Sequence, residues 1–325
     1  MVRLCPFVLA ALVLAAQPIA DARAQEYPTR QVTLILPFVP GGAIDLAARI
    51  WAQKLSDRWG KPVIVENRPG AGSVIASNLV AKAAPDGYTL YVSPSSLAIS
   101  PTLFKKLPFD VATDFAVVAR IADNPLILVV NASLPVHSIA ELVQYAKERP
   151  GQLSYASSGP GSTLHLSGEL LKRMTGIEMA HIPYKGGPPA MNDVVAGHVQ
   201  LLFADPASAL AQLRDGRVRA LGVANNRRTP AAPDIPTLQE AGLPGFDAVA
   251  WVLIVAPAQT PKALVSKLHA ELKAVAAMPE SREQIIKIGM VPFDSPSPEE
   301  LQGFLKSEIA RWGKLVEQAG IAGSE

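Results

Sequence analysis

The sequence predicts an α/β protein with two lobes, each a mostly parallel sheet flanked by helices. Short β-rich runs alternate with amphipathic helical segments, and this order predicts parallel strands covered by helices. The alternating series occurs twice, and the 325 residues suffice for about two domains. Hydrophobic residues make up 49% of the chain and charged residues 18%, so a large core is expected.

The first series occupies the N-terminal third of the chain. Residues 32–36 form an apolar, β-rich run. The spacing of Ala47, Trp51 and Leu55 then predicts a helix that ends before Gly60. A second strand, a second helical face and a third strand follow at residues 63–65, 75–83 and 88–92. Residues 93–96 are expected to be a loop.

The second series begins after two closely spaced apolar runs, residues 115–122 and 126–130, of which the second is expected to pass between the lobes. Ser138 and Glu141 have the spacing of a capping box at the start of a helix. A strand is expected at the start of residues 154–165, followed by a helix that ends near Thr175. Further strands and helices are expected at residues 179–184, 191–196, 200–205 and 219–224, and Pro206 starts another helix.

The C-terminal part is predicted to return to the first lobe. Residues 225–246 are rich in Pro and Gly and are expected to be a long connection, with at most a short helix start at residues 234–238. A strand at residues 251–256 follows. Two helices, at residues 262–277 and 298–318, are expected to close the chain because their apolar residues fall on one side.

The N-terminus has the pattern of a secretory signal peptide. Arg3 precedes an apolar run at residues 7–16, and small residues give cleavage sites near Ala22 or Ala24. Residues 1–24 are therefore expected to be removed on export to the periplasm; the alternative is an uncleaved anchor. Cys5 is the one cysteine and lies in this segment, so the mature chain is expected to have neither a disulfide nor thiol chemistry.

The stretch of residues 154–165 predicts an anion site. Its Ser-, Gly- and Pro-rich loop leads from a strand into a helix, and a helix N-terminus carries roughly half a positive charge. No Lys follows Gly161, so the pattern of a nucleotide-binding P-loop is missing and a small carboxylate is the expected guest. The alternative is an ordinary turn between strand and helix.

Other classes of function find less support. No Lys/Arg run indicates nucleic-acid binding. The histidines show no metal-ligand spacing, and neither a metal nor a cofactor is expected. A hydrolase would need Ser157 or Ser158, His165 and Asp205 to assemble, but the nucleophile motif G-x-S-x-G is absent there, and His165 is expected to pack or to cap rather than to catalyse.

Several ordered segments carry a resemblance to a known family. They lie at residues 27–30, 37–45, 65–72, 84–90, 155–165, 183–186, 203–205 and 236–242. Together they resemble the substrate-binding receptors of tripartite tricarboxylate transporters, the TctC/Bug type. This resemblance implies a type II periplasmic-binding-protein fold, of the Venus-flytrap kind, that closes on a small carboxylate and is not an enzyme. The implied partner is a membrane permease; a membrane sensor kinase is the alternative, and a monomer is expected.

The resemblance also implies a division of the chain and a set of ligand-binding residues. Residues 25–124 plus 249–325 would form lobe 1 and residues 125–248 lobe 2, with the cleft between them. The expected ligand-binding residues are Phe38, Gly41, Gly42, Asp45, Ser95, Ser96, Ser157, Gly159, Ser162, Thr163, Tyr184 and Asp205.

The roles of the two carboxylates Asp45 and Asp205 stay open at this point. Asp45 either stabilises a helix start through the dipole or lies near the ligand, where it would accept a bond from an amino or hydroxyl group. Asp205 either caps the next helix or lies near the ligand, where it too would accept a bond from an amino or hydroxyl group. Since no Arg lies in the anchor loops, we expect Phe38, Ser95, Ser96 and Asp205 to set ligand selectivity. Which acid is bound stays open.

Overall fold

Two β-sheets organise residues 27–325, the part of the chain that the computed structural model describes. The strands are β1 (Val32–Leu36), β2 (Val63–Asn67), β3 (Thr89–Pro94), β4 (Phe115–Asn124), β5 (Ile127–Asn131), β6 (Leu153–Ser157), β7 (Met179–Pro183), β8 (Leu201–Ala204), β9 (Val218–Val223), β10 (Ala250–Pro257) and β11 (Val291–Pro292). The predicted signal peptide, with Cys5, lies outside the described residues.

Helices flank both sheets, which confirms the predicted α/β class. They are α1 (Ala43–Trp59), α2 (Val74–Ala81), α3 (Ser96–Leu103), α4 (Ile139–Glu148), α5 (Thr163–Thr175), α6 (Gly187–Ala196), α7 (Pro206–Arg214), α8 (Lys262–Ala277), α9 (Pro279–Lys287) and α10 (Pro298–Gln318), with a short 3₁₀ turn at Ala71–Ser73. Within residues 27–325, no helix combines the length and the apolar composition that a membrane span needs.

Most strands of each sheet run in one direction, as expected; β10 and β11 oppose the others in the first sheet, and β5 does so in the second. The first sheet has the order β11-β4-β10-β3-β1-β2 and the second β7-β6-β8-β5-β9. Strands within the βα units pair in parallel, β1 with β2 and β3, and β6 with β7 and β8. By contrast β10 pairs antiparallel with β3 and β4, and β5 with β8 and β9, because each of these two strands enters its sheet from the other sheet rather than through a crossover helix.

The chain crosses between the sheets twice. The first crossing is the short step from Asn124 to Ile127, and the second is the connection from Val223 to Ala250. We call the elements around the first and second sheet the first and second lobe. The predicted division, residues 25–124 plus 249–325 against residues 125–248, places its boundaries at these crossings and stays our proposal for the domain limits.

One local prediction was wrong, and one helix was missed. The expected loop at residues 93–96 runs into helix α3, which keeps Pro101 inside it. Helix α3 buries Leu97, Ala98 and Ile99 in succession, so no amphipathic period marks it. Helix α9, between the two predicted closing helices, buries only Ser281 and Ile285 and therefore has no apolar stripe. Residues 234–238 form no helix.

A buried carboxylate joins the centre of the first sheet to the C-terminal helix. Glu308 on α10 is 7% exposed and accepts hydrogen bonds from Trp251 Nε1 at 2.6 Å and Trp312 Nε1 at 3.0 Å. Arg311 donates to both of its oxygens. Burial raises the pKa of Glu308, but the bonds from Arg311 and the two indoles outweigh burial, and the pKa is lowered overall.

We expect Glu308→Ala to reduce the free energy of unfolding by about 3 kcal/mol, because two indole N–H groups lose their acceptor inside the core. Urea unfolding followed by circular dichroism measures this loss. Glu317→Ala, an exposed position on the same helix, is the matched control and should change stability by less than about 0.5 kcal/mol. Equal midpoints for the two variants would contradict the role given to Glu308.

Candidate functional site

A small cavity of about 30 Å³ lies between the two sheets. Its walls come from both lobes and from both crossing segments. The lining residues are Phe38, Val39, Gly42, Ile44, Asp45, Pro94, Ser96, Asn124, Ser158, Ser162, Thr163, Leu164, Gly187, Pro188, Asp205 and Ala250. The set contains neither Lys nor Arg, so any anion bound here must be held by backbone N–H groups and by uncharged side chains.

Five helix N-termini meet at this cavity. Helices α1, α3, α5, α6 and α7 each contribute their N-cap or first-turn residues to its lining. In four of them no side chain caps the helix; only α5 is capped, by Ser162 Oγ, which accepts from His165 N at 3.2 Å. A helix start leaves N–H groups without intrahelical partners and carries partial positive charge. The cavity is therefore suited to an anionic ligand.

Seven of the residues expected to bind the ligand line this cavity. They are Phe38, Gly42, Asp45, Ser96, Ser162, Thr163 and Asp205. The other five do not line it. Gly159 and Tyr184 line a neighbouring recess, together with Phe38 and residues 70–73. Gly41 uses its N–H to bond Asp45.

Ser95 and Ser157 are fully buried and serve the protein itself. Ser95 Oγ accepts from Trp251 N at 2.9 Å, which fixes the start of α3 to strand β10. Ser157 Oγ lies 2.7 Å from His181 Nε2 and accepts from Gly159 N at 3.0 Å. The hydroxyl of Ser157 therefore shapes the anchor loop, defined here as residues 157–162, from behind.

Sequence reasoning missed several lining residues. Ser158 and Gly187 belong to stretches that the sequence singled out. Asn124 and Ala250 carried a weaker signal, a polar end and a small start of two apolar runs. They lie side by side at the cavity because β10 runs antiparallel to β4, so that the start of β10 pairs with the end of β4. The other missed residues are Val39, Ile44, Pro94, Leu164 and Pro188.

Asp45 holds the loop of the first lobe in place. Arg49 donates to both carboxylate oxygens at 3.0 Å, Asn67 Nδ2 donates to Oδ1 at 2.9 Å, and Gly41 N donates to Oδ2 at 3.0 Å. Burial raises the pKa of Asp45, but these bonds outweigh burial and lower it overall. Asp45 thus supports the helix start and the Gly41–Gly42 turn, and Gly41 adopts a φ of 97° there.

Asp205 has a different environment. It is 9% exposed, and its side chain makes no capping bond to α7. Asn124 Nδ2 donates to its Oδ1. A Cβ placed on Gly42 or on Gly187 would lie 3.7 Å or 2.9 Å from its Oδ2, so this oxygen faces the turns of both lobes. Burial raises the pKa of Asp205 and the bond from Asn124 opposes this; overall the pKa is raised.

Two histidines support the anchor loop. The rings of His165 and His181 stack with centroids 4.0 Å apart, although 16 positions separate them in the chain. His165 Nδ1 accepts from Gly161 N at 3.2 Å. Burial and the charge of Lys172 lower the pKa of His165 to about 4. Burial and His165 lower the pKa of His181 to about 3, although Glu169 opposes them. Both imidazoles are therefore neutral near pH 7.

The packing expected of His165 is what the structure shows, and the hydrolase arrangement is not assembled. His165 bonds the backbone of Gly161, and Asp205 bonds Asn124. Within residues 27–325, no group of His, Cys, Asp and Glu side chains has the arrangement of a metal site.

Comparisons with known proteins confirm the predicted resemblance. Residues 47–321 match the family described as the tripartite tricarboxylate transporter family receptor, TctC. The chain is 39% identical to the "UPF0065 protein in tcbD-tcbE intergenic region" of Pseudomonas sp. (strain P51), over 95% of this chain and 93% of that one.

Two solved structures are similar over nearly their full length. "R. palustris Rpa4515 with adipate" has a TM-score of 0.87 and 38% identity, over 91% of this chain and 99% of that one. "MatC (Rpa3494) from Rhodopseudomonas palustris with bound malate" has a TM-score of 0.83 and 33% identity, over 89% of this chain and 100% of that one.

The histidine pair predicts a pH-dependent stability. Because the pKa values of His165 and His181 are lowered, the unfolded chain binds more protons than the folded one between about pH 6.5 and pH 4. As the pH is lowered through this window, the free energy of unfolding should therefore decrease, by on the order of 2 kcal/mol for each histidine.

Thermal unfolding of His165→Asn between pH 7 and pH 4.5 tests this expectation. Asn keeps an acceptor for Gly161 N–H and removes the titrating ring, so the decline in Tm should be shallower than in the unaltered protein. The exposed His137→Asn is the control and should follow the unaltered protein. A decline of the same steepness in both variants would refute a role for the pair.

Proposed function

Since the chain belongs to the tripartite tricarboxylate transporter receptor family, we propose that it is an exported, periplasmic solute-binding protein. It captures a small carboxylate in the cavity between its two sheets and delivers it to the membrane permease of such a transporter. The receptor binds its ligand without transforming it and acts as a monomer.

The observation that carries this proposal is the convergence of five helix N-termini on one cavity without Lys or Arg. Each N-terminus contributes roughly half a positive charge. The starts of α1, α3 and α5 also offer N–H donors, whereas Pro188, Pro189 and Pro206 remove donors from α6 and α7. A carboxylate is a small anion whose oxygens together accept about four hydrogen bonds, so it matches such a donor cluster. Bonds from N–H groups to an ionised carboxylate are among the stronger hydrogen bonds in proteins.

Relatives with bound ligands support the same class of ligand. Rpa4515 was solved with adipate and MatC with malate, and both chains align with almost all of this one. Both ligands are small dicarboxylates. The residues that we assign to the ligand are the seven predicted residues that line the cavity; Gly159 and Tyr184 border its mouth, and Gly41, Ser95 and Ser157 hold the binding loops.

The proposed mechanism is ligand-driven closure of the two lobes. In this structure the lobes touch beside the cavity: Pro160 O of the anchor loop lies against Gly72 in the neighbouring recess, and Val39 lies against Gly186. A ligand that touches the turns of both lobes does so only when they are closed. Binding therefore shifts the population toward the closed state, and this state is the one presented to the permease.

A thermal-unfolding screen of residues 25–325 against small carboxylates, adipate and malate among them, tests the proposal. A ligand at about 100 times its dissociation constant should add roughly 2.7 kcal/mol to the free energy of unfolding. Amines and sugars of similar size are the controls and should leave Tm unchanged. The proposal fails if no carboxylate shifts Tm and mass spectrometry of the denatured protein finds no co-purified carboxylate.

Gly72→Ala tests the closure mechanism. Gly72 has a φ of 56°, and a Cβ placed on it would lie 2.4 Å from Pro160 O, so the closed state must open slightly to admit it. Because apparent affinity scales with the closed fraction, we expect the dissociation constant measured by titration calorimetry to rise about tenfold or more.

Gly60→Ala is the matched control for this variant. Gly60 has a similar φ of 61°, but nothing lies within 4 Å of a Cβ placed there. The left-handed backbone should cost both variants on the order of 1 kcal/mol of stability, and Gly72→Ala should lose more because its Cβ would also lie 2.8 Å from the Phe104 ring. Only Gly72→Ala should lose affinity. Equal dissociation constants for the two variants would exclude closure at this contact.

A further inference from the structure

We infer that the ligand is an amino carboxylate, held with its carboxylate at the N-terminus of α5 and its ammonium group between Asp205 and Asn124. This inference rests on the proposed function, because it assigns the ligand class of the same cavity.

The first observation is a buried carboxylate with an unused oxygen. Within residues 27–325, Asp205 Oδ1 accepts from Asn124 Nδ2, whereas no donor is bonded to Oδ2. Asp205 precedes α7 at the position where Asp commonly caps a helix, yet its side chain makes no such bond. Its Oδ2 instead faces Gly42 and Gly187, which both line the cavity. This oxygen is an acceptor without a donor.

The second observation is that a neighbouring amide oxygen also lacks a hydrogen-bond donor. Asn124 is 1% exposed and lines the cavity, and its Oδ1 has no hydrogen-bond partner within the described part of the chain. A buried acceptor without a donor costs free energy, so such atoms indicate a missing partner. Two adjacent acceptors require a ligand group with at least two N–H or O–H bonds. An ammonium group offers three donors, whereas a hydroxyl group offers one.

The other carboxylate of the cavity does not compete for this role. Asp45 is bonded by Arg49, Asn67 and Gly41, and so both of its oxygens have donors inside the protein. Asp205 is therefore the acidic side chain of the lining that a ligand is able to neutralise.

The two ends of the cavity differ in charge. Oδ2 of Asp205 lies beside the N-cap residue of α1, Gly42, and the first residue of α6, Gly187, so its charge offsets the partial positive charges of these two helix starts. The N-terminus of α5, at Thr163 and Leu164, has no carboxylate among its capping contacts and keeps its positive charge. A second ligand carboxylate at Asp205 would bring two like charges together in a buried site.

Binding of length-matched ligands to residues 25–325 tests the inference. The amino carboxylates are β-alanine, 4-aminobutyrate and 5-aminovalerate. Succinate, glutarate and adipate replace the ammonium group by a carboxylate at equal chain length, and 3-hydroxypropionate, 4-hydroxybutyrate and 5-hydroxyvalerate replace it by a hydroxyl group. Titration calorimetry at pH 7 should show that the best amino carboxylate binds at least tenfold more tightly than both of its analogues.

Variants of Asp205 and Asn124 test whether the preference for an amino carboxylate depends on these two acceptors. Asp205→Asn should weaken binding of the amino carboxylate by about thirtyfold or more, because a buried charge partner is lost, and should strengthen binding of the matching dicarboxylate. Asn124→Ala should weaken the amino carboxylate about tenfold without any gain for the dicarboxylate. Asp215→Asn is the matched control at the exposed C-terminal end of α7 and should change neither affinity.

The outcomes separate this inference from the proposed function. Dicarboxylates or hydroxy acids that bind most tightly to the unaltered protein would overturn the inference and leave the receptor function in place. Equal losses for all three ligand classes in Asp205→Asn would also overturn it. Failure of every carboxylate to bind would instead refute the proposed function. If Asp205→Asn does not fold, as circular dichroism would reveal, the response of Asn124→Ala decides.

Discussion

One constraint governs this structure: the backbone N–H groups at five helix starts around one cavity need hydrogen-bond acceptors. A helix start leaves donors without partners, and proteins usually supply a side-chain cap. Here α1, α3, α6 and α7 have none, so the sequence forgoes local stabilisation at four places that converge on one volume. Glycines at the N-termini of α1 and α6 leave the space open. The cavity is thereby prepared for an anion before any ligand arrives.

The route of the chain between the lobes explains why these helix starts face one another. Strands β4 and β5 are separated by only two residues, and β10 brings the chain back to the centre of the first sheet. This short, direct crossing leaves the lobes able to approach across a narrow gap. It also places Asn124, the last residue of β4, at the cavity wall. In the closure mechanism that we propose, the crossing between the lobes and the binding site share Asn124, which would couple occupancy to closure.

Local sequence patterns predicted most of the architecture because they encode local physics. The period of apolar residues in α1 and the cap of α4, where Ser138 Oγ accepts from Glu141 N, act within a few positions, and the structure contains both. Contacts between distant positions left no such pattern. The stacking of His165 on His181 and the bond between Asn124 and Asp205 join residues from different strands and loops. Only the three-dimensional arrangement reveals that the histidine pair supports the anchor loop and that Asn124 and Asp205 each keep an acceptor oxygen without a donor.

The two carboxylates of the cavity show how residues of one type acquire different functions. Asp45 lies one turn before Arg49 on α1, and Asn67 at the end of β2 adds a further donor, so its charge is used to hold a turn. Asp205 precedes Pro206, which has no N–H to offer, and its one bonded partner is the amide of Asn124. A charge that the protein leaves unneutralised in a closed cavity destabilises the empty state. By our inference, a ligand whose ammonium group neutralises this charge gains affinity that a dicarboxylate does not.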